Sequence, residues 1–187
     1  AEKGEAPSVT ALSSCLQDRD AGVRSSAIEV LEQVAERGDE RAVAALCARL
    51  EDKEFEVRRA ALQALAQVAE RGREQAVADV CSRLEGCQLR SRPALVRALA
   101  SVAERGNASA LAALDACLAD PDGSVRAASV RTLAEVAPPG DLQALETIRS
   151  CLSDPSAKVS SAARSALQDV EAGADGPSPL TSAVVAG

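Results

Sequence analysis

The groups in this 187-residue chain that could hold a proton, a metal or an anion are 28 acids, 21 bases and six cysteines. Histidine, methionine, tryptophan and tyrosine are absent, and Phe55 is the single aromatic residue. Without histidine there is no imidazole general base, no His-assisted nucleophile and no imidazole metal ligand. The cysteines are Cys15, Cys47, Cys81, Cys87, Cys117 and Cys151, and no two of them form a Cys-x-x-Cys pair. Their spacing does not match a zinc site. Acidic residues are plentiful, but no two stand isolated in an apolar stretch that would raise a pKa as acid–base catalysis requires. The sequence therefore nominates no catalytic residue, no cofactor-binding residue and no metal ligand.

The charge balance narrows the choice of partner. A net charge of −7 makes the chain a poor candidate for nucleic acid, whose phosphates are bound mainly through Lys and Arg. One aromatic ring leaves nothing to stack bases or line a cofactor pocket. Apolar content of 47% with charged content of 26% is that of a folded globular chain. No apolar run approaches the roughly 18 residues of a spanning helix, and no secretory leader is visible. Six cysteines without a disulfide pattern read as small, buried or half-buried thiols in a reducing intracellular compartment, whether cytoplasm or organelle stroma or matrix.

The elements that position these groups repeat. Leu16, Leu50, Leu84, Leu118 and Leu152 stand 34 residues apart. The same interval separates Leu12, Leu46, Val80, Leu114 and Ile148; Leu31, Leu65, Leu99, Leu133 and Leu167; and Val34, Val68, Val102, Val136 and Val170. A glycine column runs through Gly38, Gly72, Gly106 and Gly140. Within a copy the apolar spacing is helical. Val43, Leu46 and Leu50 mark one face of a first helix; Val57, Ala61, Leu65 and Val68 mark a longer second one. Gly72 is expected to close that second helix, where a left-handed residue is easily accepted. In the fourth copy Asp120-Pro121-Asp122-Gly123 is a turn signal, after which Asp122 or Ser124 can cap the next helix. One hairpin has two apolar faces and buries only one of them alone. Stacking successive hairpins buries the other and builds a solenoid.

The strings Asp-Pro-Asp-Gly-Ser-Val-Arg (120–126) and Glu-Val-Arg-Arg-Ala-Ala-Leu-Gln-Ala-Leu (56–65) resemble HEAT-like repeats, closest to the short subtype also found in bilin-lyase subunits. The resemblance covers about residues 5–171. It implies an all-α, right-handed α-solenoid of five 34-residue helical hairpins. The copies are placed at about 5–38, 39–72, 73–106, 107–140 and 141–171, so that residues 1–171 hold the array and 172–187 a Gly/Pro/Ser-rich tail. The family includes scaffolds, transport factors and a few enzymes, so it decides fold and not function. A chromophore-attaching lyase subunit without His, Tyr or Trp would be unusual. HEAT-type hydroxylases hold iron with His–Glu pairs, and HEAT-like DNA glycosylases rely on a basic groove and aromatics; this chain lacks those residues.

The resemblance also gives a structural role to two charged columns. Asp18, Asp52, Asp120 and Asp154 form one column and Arg24, Arg58, Arg92 and Arg126 another, offset by six positions in the repeat, a spacing that in HEAT repeats forms a ladder between adjacent copies. Gly86 replaces the acid in the third copy and Ser160 the base in the fifth. With Pro93 near the start of its second helix, the third copy is the expected site of irregularity. At the N-terminus Ala1-Glu2-Lys3-Gly4 aligns with Ala35-Glu36-Arg37-Gly38, so residue 1 falls in the last turn of a helix. That suggests a fragment of a longer array, a processed end, or a first copy covered by a partner.

In HEAT solenoids the second helices line the concave face, and their outward positions here differ from copy to copy. One column reads Glu29, Gln63, Arg97, Arg131 and Ser165; the preceding turn gives Ser25, Arg59, Pro93, Ala127 and Ser161. Ala66, Ala100 and Ala134 lie between as small, nearly flat positions. Arg59, Gln63, Arg97 and Arg131 are thus candidate partner-binding residues for an acidic or helical protein segment. Leu180, Val184 and Val185 in the tail are further candidates. The expected function is a non-enzymatic scaffold for protein–protein interaction. A structural or assembly subunit of a large complex, organellar or not, and a bilin-lyase-like subunit are the alternatives.

Overall fold

The structure, a computed structural model, describes residue 12 and residues 14–174, with side chains as far as Asp169. Among the described residues there are nine α-helices, two short 3-10 turns and no strand. The helices are α1 (Ala21–Val34), α2 (Glu40–Arg49), α3 (Phe55–Val68), α4 (Glu74–Gly86), α5 (Arg92–Val102), α6 (Ala108–Cys117), α7 (Gly123–Val136), α8 (Leu142–Ser150) and α9 (Ala157–Ala174); the 3-10 turns are Leu89–Ser91 and Cys151–Ser153. Helices α2, α4, α6 and α8 start at 34-residue intervals, and α1, α3, α5 and α7 end at the same interval. The odd-numbered helices form one continuous row, each touching the next, while α2, α4 and α6 stack as a second row against it. This is an all-α solenoid. No helix among the described residues is long and apolar enough to cross a membrane.

The periodic columns explain the stacking. Leu31, Leu65, Leu99 and Leu133 are buried in the odd-numbered row, and Leu46, Val80, Leu114 and Ile148 in the other. Each fully buried leucine stabilises the array by roughly 1.5–3 kcal/mol relative to exposure. Ala64, Ala98 and Ala166 are buried at the joints between odd-numbered helices, where small side chains allow close approach. The column of Leu16, Leu50, Leu84, Leu118 and Leu152 is not uniform: the first three are buried, while Leu152 lies in the second 3-10 turn and stays 39% exposed.

The turns carry a second device. Helix α3 ends at Val68, and the residue after it, Ala69, is extended. Gly72 therefore does not close that helix, as its spacing suggested, but lies further into the turn with φ +88°. Its N–H donates to the Val102 carbonyl of the next odd-numbered helix at 2.9 Å. Gly38 does the same to Val68, and Gly106 to Val136, each at 2.7 Å. The end of one hairpin thus satisfies a helix-terminal carbonyl of the next, a group with no partner inside its own helix. Asp39, Asn107, Asp122 and Asp141 cap the helices that follow them; Asp122, not Ser124, is the cap of α7 and accepts the Ser124 N–H.

The ladder of acids and bases runs between copies as the resemblance implies. Arg24 Nε and Nη2 donate to the two carboxylate oxygens of Asp52, each at 2.8 Å, and Arg126 holds Asp154 in the same two-pronged way. Arg92 pairs with Asp120. Burial alone would raise the Asp52 carboxyl. The hydrogen bond from Arg24, the Glu54 N–H and the charges of Arg24 and Arg49 outweigh it and hold the carboxyl below the usual range. For Asp154 the Arg126 hydrogen bond leads, and the direction is the same.

Arg58 meets Gly86 where the acid would be. Its guanidinium keeps only the carbonyl bonds that Arg24 and Arg126 also make to their own preceding turns, here to Asp52 and Lys53, and lies 5.8 Å from the Phe55 ring centroid. The third copy is irregular throughout: α4 runs on to Gly86, the first 3-10 turn follows, and α5 is 11 residues long where α3 and α7 have 14. Pro93 fits in the first turn of α5, where its missing N–H has no helical partner. Buried Ser91 Oγ and Arg92 Nε are left without hydrogen-bond partners there.

Candidate protein-interaction face

The outward positions of the odd-numbered helices form one face, and Arg59, Gln63, Arg97 and Arg131 are all exposed on it. The structure divides these four between two hollows. Arg59 and Gln63 line one of about 180 Å³ between α1 and α3, together with Glu29, Glu32 and Glu56. There Arg59 Nε and Nη2 donate to Glu56 Oε2 at 2.9 and 2.7 Å, so its charge is met by its own helix.

Arg97 and Arg131 line a second hollow, of about 410 Å³, formed by α5, α7 and α9. Lys158 enters from the first turn of α9, and Ser124 and Ser161 add hydroxyls. Among the described residues no acid lines this hollow, and none of the three cations forms an ion pair. Burial, and after it the charge of Arg131, push the Arg97 guanidinium below its ordinary value. Ala127 belongs to an outward column yet is 1% exposed, because α5 and α9 flank it on both sides; it floors the hollow.

Lys158 was not nominated by the sequence reading. It lies 34 residues after Ser124 and one turn before Ser161, so the repeat register alone placed it beside the outward columns. Arg131 also borders a third and larger hollow, of about 640 Å³, at the turn between α7 and α8. Its floor is apolar, with Ala137, Leu145 and Ile148, and its rim carries both signs of charge, from Arg105 and Arg131 to Glu135 and Asp169. Leu180, Val184 and Val185 lie outside the described residues.

The cysteines add no chemistry to this face. Cys47 is buried, and burial pushes its thiol up to about 11; Cys81, Cys87, Cys117 and Cys151 are half-buried and shifted upward chiefly by the same cause. These thiols stay protonated at neutral pH and are poor nucleophiles. Cys15 departs from the expectation of burial and is exposed, in the segment preceding α1.

The rows of paired helices, the turn bonds and the ladder define a helical-repeat solenoid. The sequence matches the HEAT repeats family over residues 9–100 and 88–168, and the chain belongs to that family. No curated protein matches it in sequence. Among solved structures it is similar to a designed armadillo repeat protein in complex with the peptide (KR)4, at 20% identity and TM-score 0.53, over 87% of this chain and 81% of that one. It is similar to the complex of CpcE and CpcF of phycocyanin lyase from Nostoc sp. PCC7120, at 21% identity and TM-score 0.53. That match covers 89% of this chain and 65% of the other. An engineered protein matches at 21% identity and TM-score 0.51, over 88% of this chain and 80% of that one. Likenesses at these identities speak for the fold.

Proposed function

We propose that this HEAT-repeat chain is a non-enzymatic scaffold that binds a protein partner along the face of its odd-numbered helices, and that the bound segment is acidic. The observation that carries this reading is the hollow at α5, α7 and α9, where Arg97, Arg131 and Lys158 converge without a carboxylate in a chain of net charge −7. Unpaired cations gathered in a concave site attract an anionic segment by local field even where the molecule as a whole is negative. The designed armadillo repeat protein in complex with the peptide (KR)4 supports peptide binding by solenoids of this kind. The charge of the present hollow calls for the opposite ligand.

An extended interface along the face would bury about 1,200–2,000 Å² in total if the complex is stable. The test is recovery of partners from the native source, followed by affinity measurement with Arg97→Glu and Arg131→Glu combined. A loss of at least tenfold is expected, since reversing two charges sets like against like. Unchanged affinity assigns binding to the ends or to residues 172–187 and removes the face from the mechanism.

A further inference from the structure

We propose that the hollow formed by Arg97, Arg131, Lys158, Ser124 and Ser161 is a recognition site for a phosphorylated serine or threonine in the partner segment. This rests on the reading of the odd-numbered helices as the docking face and specifies the group that the face selects. The argument starts from supply of positive charge. Arg97 Nε is engaged by the Pro93 carbonyl at 3.1 Å, which fixes the side chain and leaves its terminal nitrogens free to donate. Lys158 Nζ makes one long contact, 3.4 Å to Ser124 Oγ, and among the described residues the Arg131 side chain has no hydrogen-bond partner.

Three acids of the neighbouring turns are already committed, and Glu135 and Asp169 border Arg131 only in the larger hollow. Asp120 is held by Arg92, Asp122 caps α7, and Asp154 is gripped at both oxygens by Arg126. The hollow between α1 and α3 shows the other outcome on the same face, where three glutamates surround one arginine.

A carboxylate would bring one negative charge and two acceptor oxygens to three cations and two hydroxyls. A phosphomonoester brings a charge of about −1.5 to −2 and three strong acceptor oxygens. Planar guanidinium groups donate to such oxygens in pairs, which makes clustered arginines the usual readers of phosphorylated motifs. Ala127 and Ala128, buried beneath, keep the floor low enough for a short side chain to reach the cations from a backbone lying across the face.

The test uses the full chain and a pool of short synthetic peptides of mixed sequence with a central phosphoserine. Matched pools carry serine or glutamate at that position. Binding is followed by fluorescence anisotropy and by NMR of the arginine Nε–H signals, with inorganic phosphate as a separate titrant. The phosphoserine pool is expected to bind at least about tenfold tighter than the glutamate pool, and Arg97→Gln with Arg131→Gln to abolish the difference. Lys158→Gln is expected to weaken phosphoserine binding by a smaller factor, and thermal melts confirm that each variant folds. Equal affinity for phosphoserine and glutamate, with both lost in the double variant, overturns the phosphate proposal while the docking face stands. Phosphoserine binding that survives the double variant, or no binding of that pool up to millimolar concentration, overturns it as well. Inorganic phosphate that moves the same arginine signals at the same concentrations overturns it in favour of a free-anion site. A natural partner unaffected by Arg97→Glu with Arg131→Glu removes the docking face itself.

Discussion

Arginine serves this molecule in two regions, and the same side chain does opposite work in them. In the ladder Arg24, Arg92 and Arg126 each close on an aspartate of the following copy. Arg24 and Asp52 are almost fully buried, at 5% and 6% side-chain exposure, so the pair is shielded from solvent and from salt. On the outward face Arg97 and Arg131 stand beside each other and a lysine, with no acid in their hollow. The ladder arginines are satisfied within the fold. The face arginines oppose one another, and among the described residues no carboxylate forms an ion pair with either. Residue type therefore says little about an arginine here; its position in the 34-residue period decides whether it holds the array together or faces outward.

Removing one partner from each region sharpens the contrast. Asp52→Ala leaves a buried guanidinium without its counter-charge and is expected to cost at least about 2 kcal/mol in urea unfolding. A change under about 0.5 kcal/mol would place that pair among ordinary surface contacts. A second measurement follows the acid side of the ladder. The Asp52 and Asp154 carboxyls are held below their ordinary value in the folded chain, so the unfolded chain binds more protons as pH falls. Their contribution is complete above the unfolded value near 4 and is lost as pH drops through the folded one. The melting temperature should therefore fall most steeply below about pH 4, and Asp52→Asn should flatten that fall. A slope indifferent to Asp52→Asn would assign acid sensitivity elsewhere. Smallest of all is the expected effect of Arg97→Gln with Arg131→Gln on stability, within about 0.5 kcal/mol, because exposed charges without an ion-pair partner, one of them holding a single exposed hydrogen bond to the Pro93 carbonyl, contribute little. A large destabilisation would return these arginines to the structural class.

Most of the fold was legible because it is written several times. A column such as Leu31, Leu65, Leu99 and Leu133 states one core position in successive copies, and its helical spacing fixes which side is buried. The ladder and its gap at Gly86 could be read for the same reason, by asking what each copy puts at a fixed offset. Gly72 was harder, since a glycine after an apolar run looks like a helix end, while its bond to Val102 in the next hairpin depends on how copies stack. The face was legible only as columns. Arg59 and Arg97 read alike as outward basic residues of adjacent columns, and the glutamates that separate their roles come from a neighbouring helix and from one turn earlier on the same helix. Lys158 reaches the hollow across the joint between α7 and α9, a contact that no single copy contains.

The turn bonds from Gly38, Gly72 and Gly106 make each hairpin dependent on its immediate neighbour and on little beyond it. A gene for such a chain can lengthen or shorten by one whole copy without a new fold having to be found. Inserting a further 34-residue unit after Gly106 would leave every stacking contact with an equivalent. It would also carry Arg97 and Arg131 one copy further apart and dissolve the cation cluster. The length of the array tolerates drift by whole copies, while the site between α5, α7 and α9 survives only if the number of copies between its residues stays fixed.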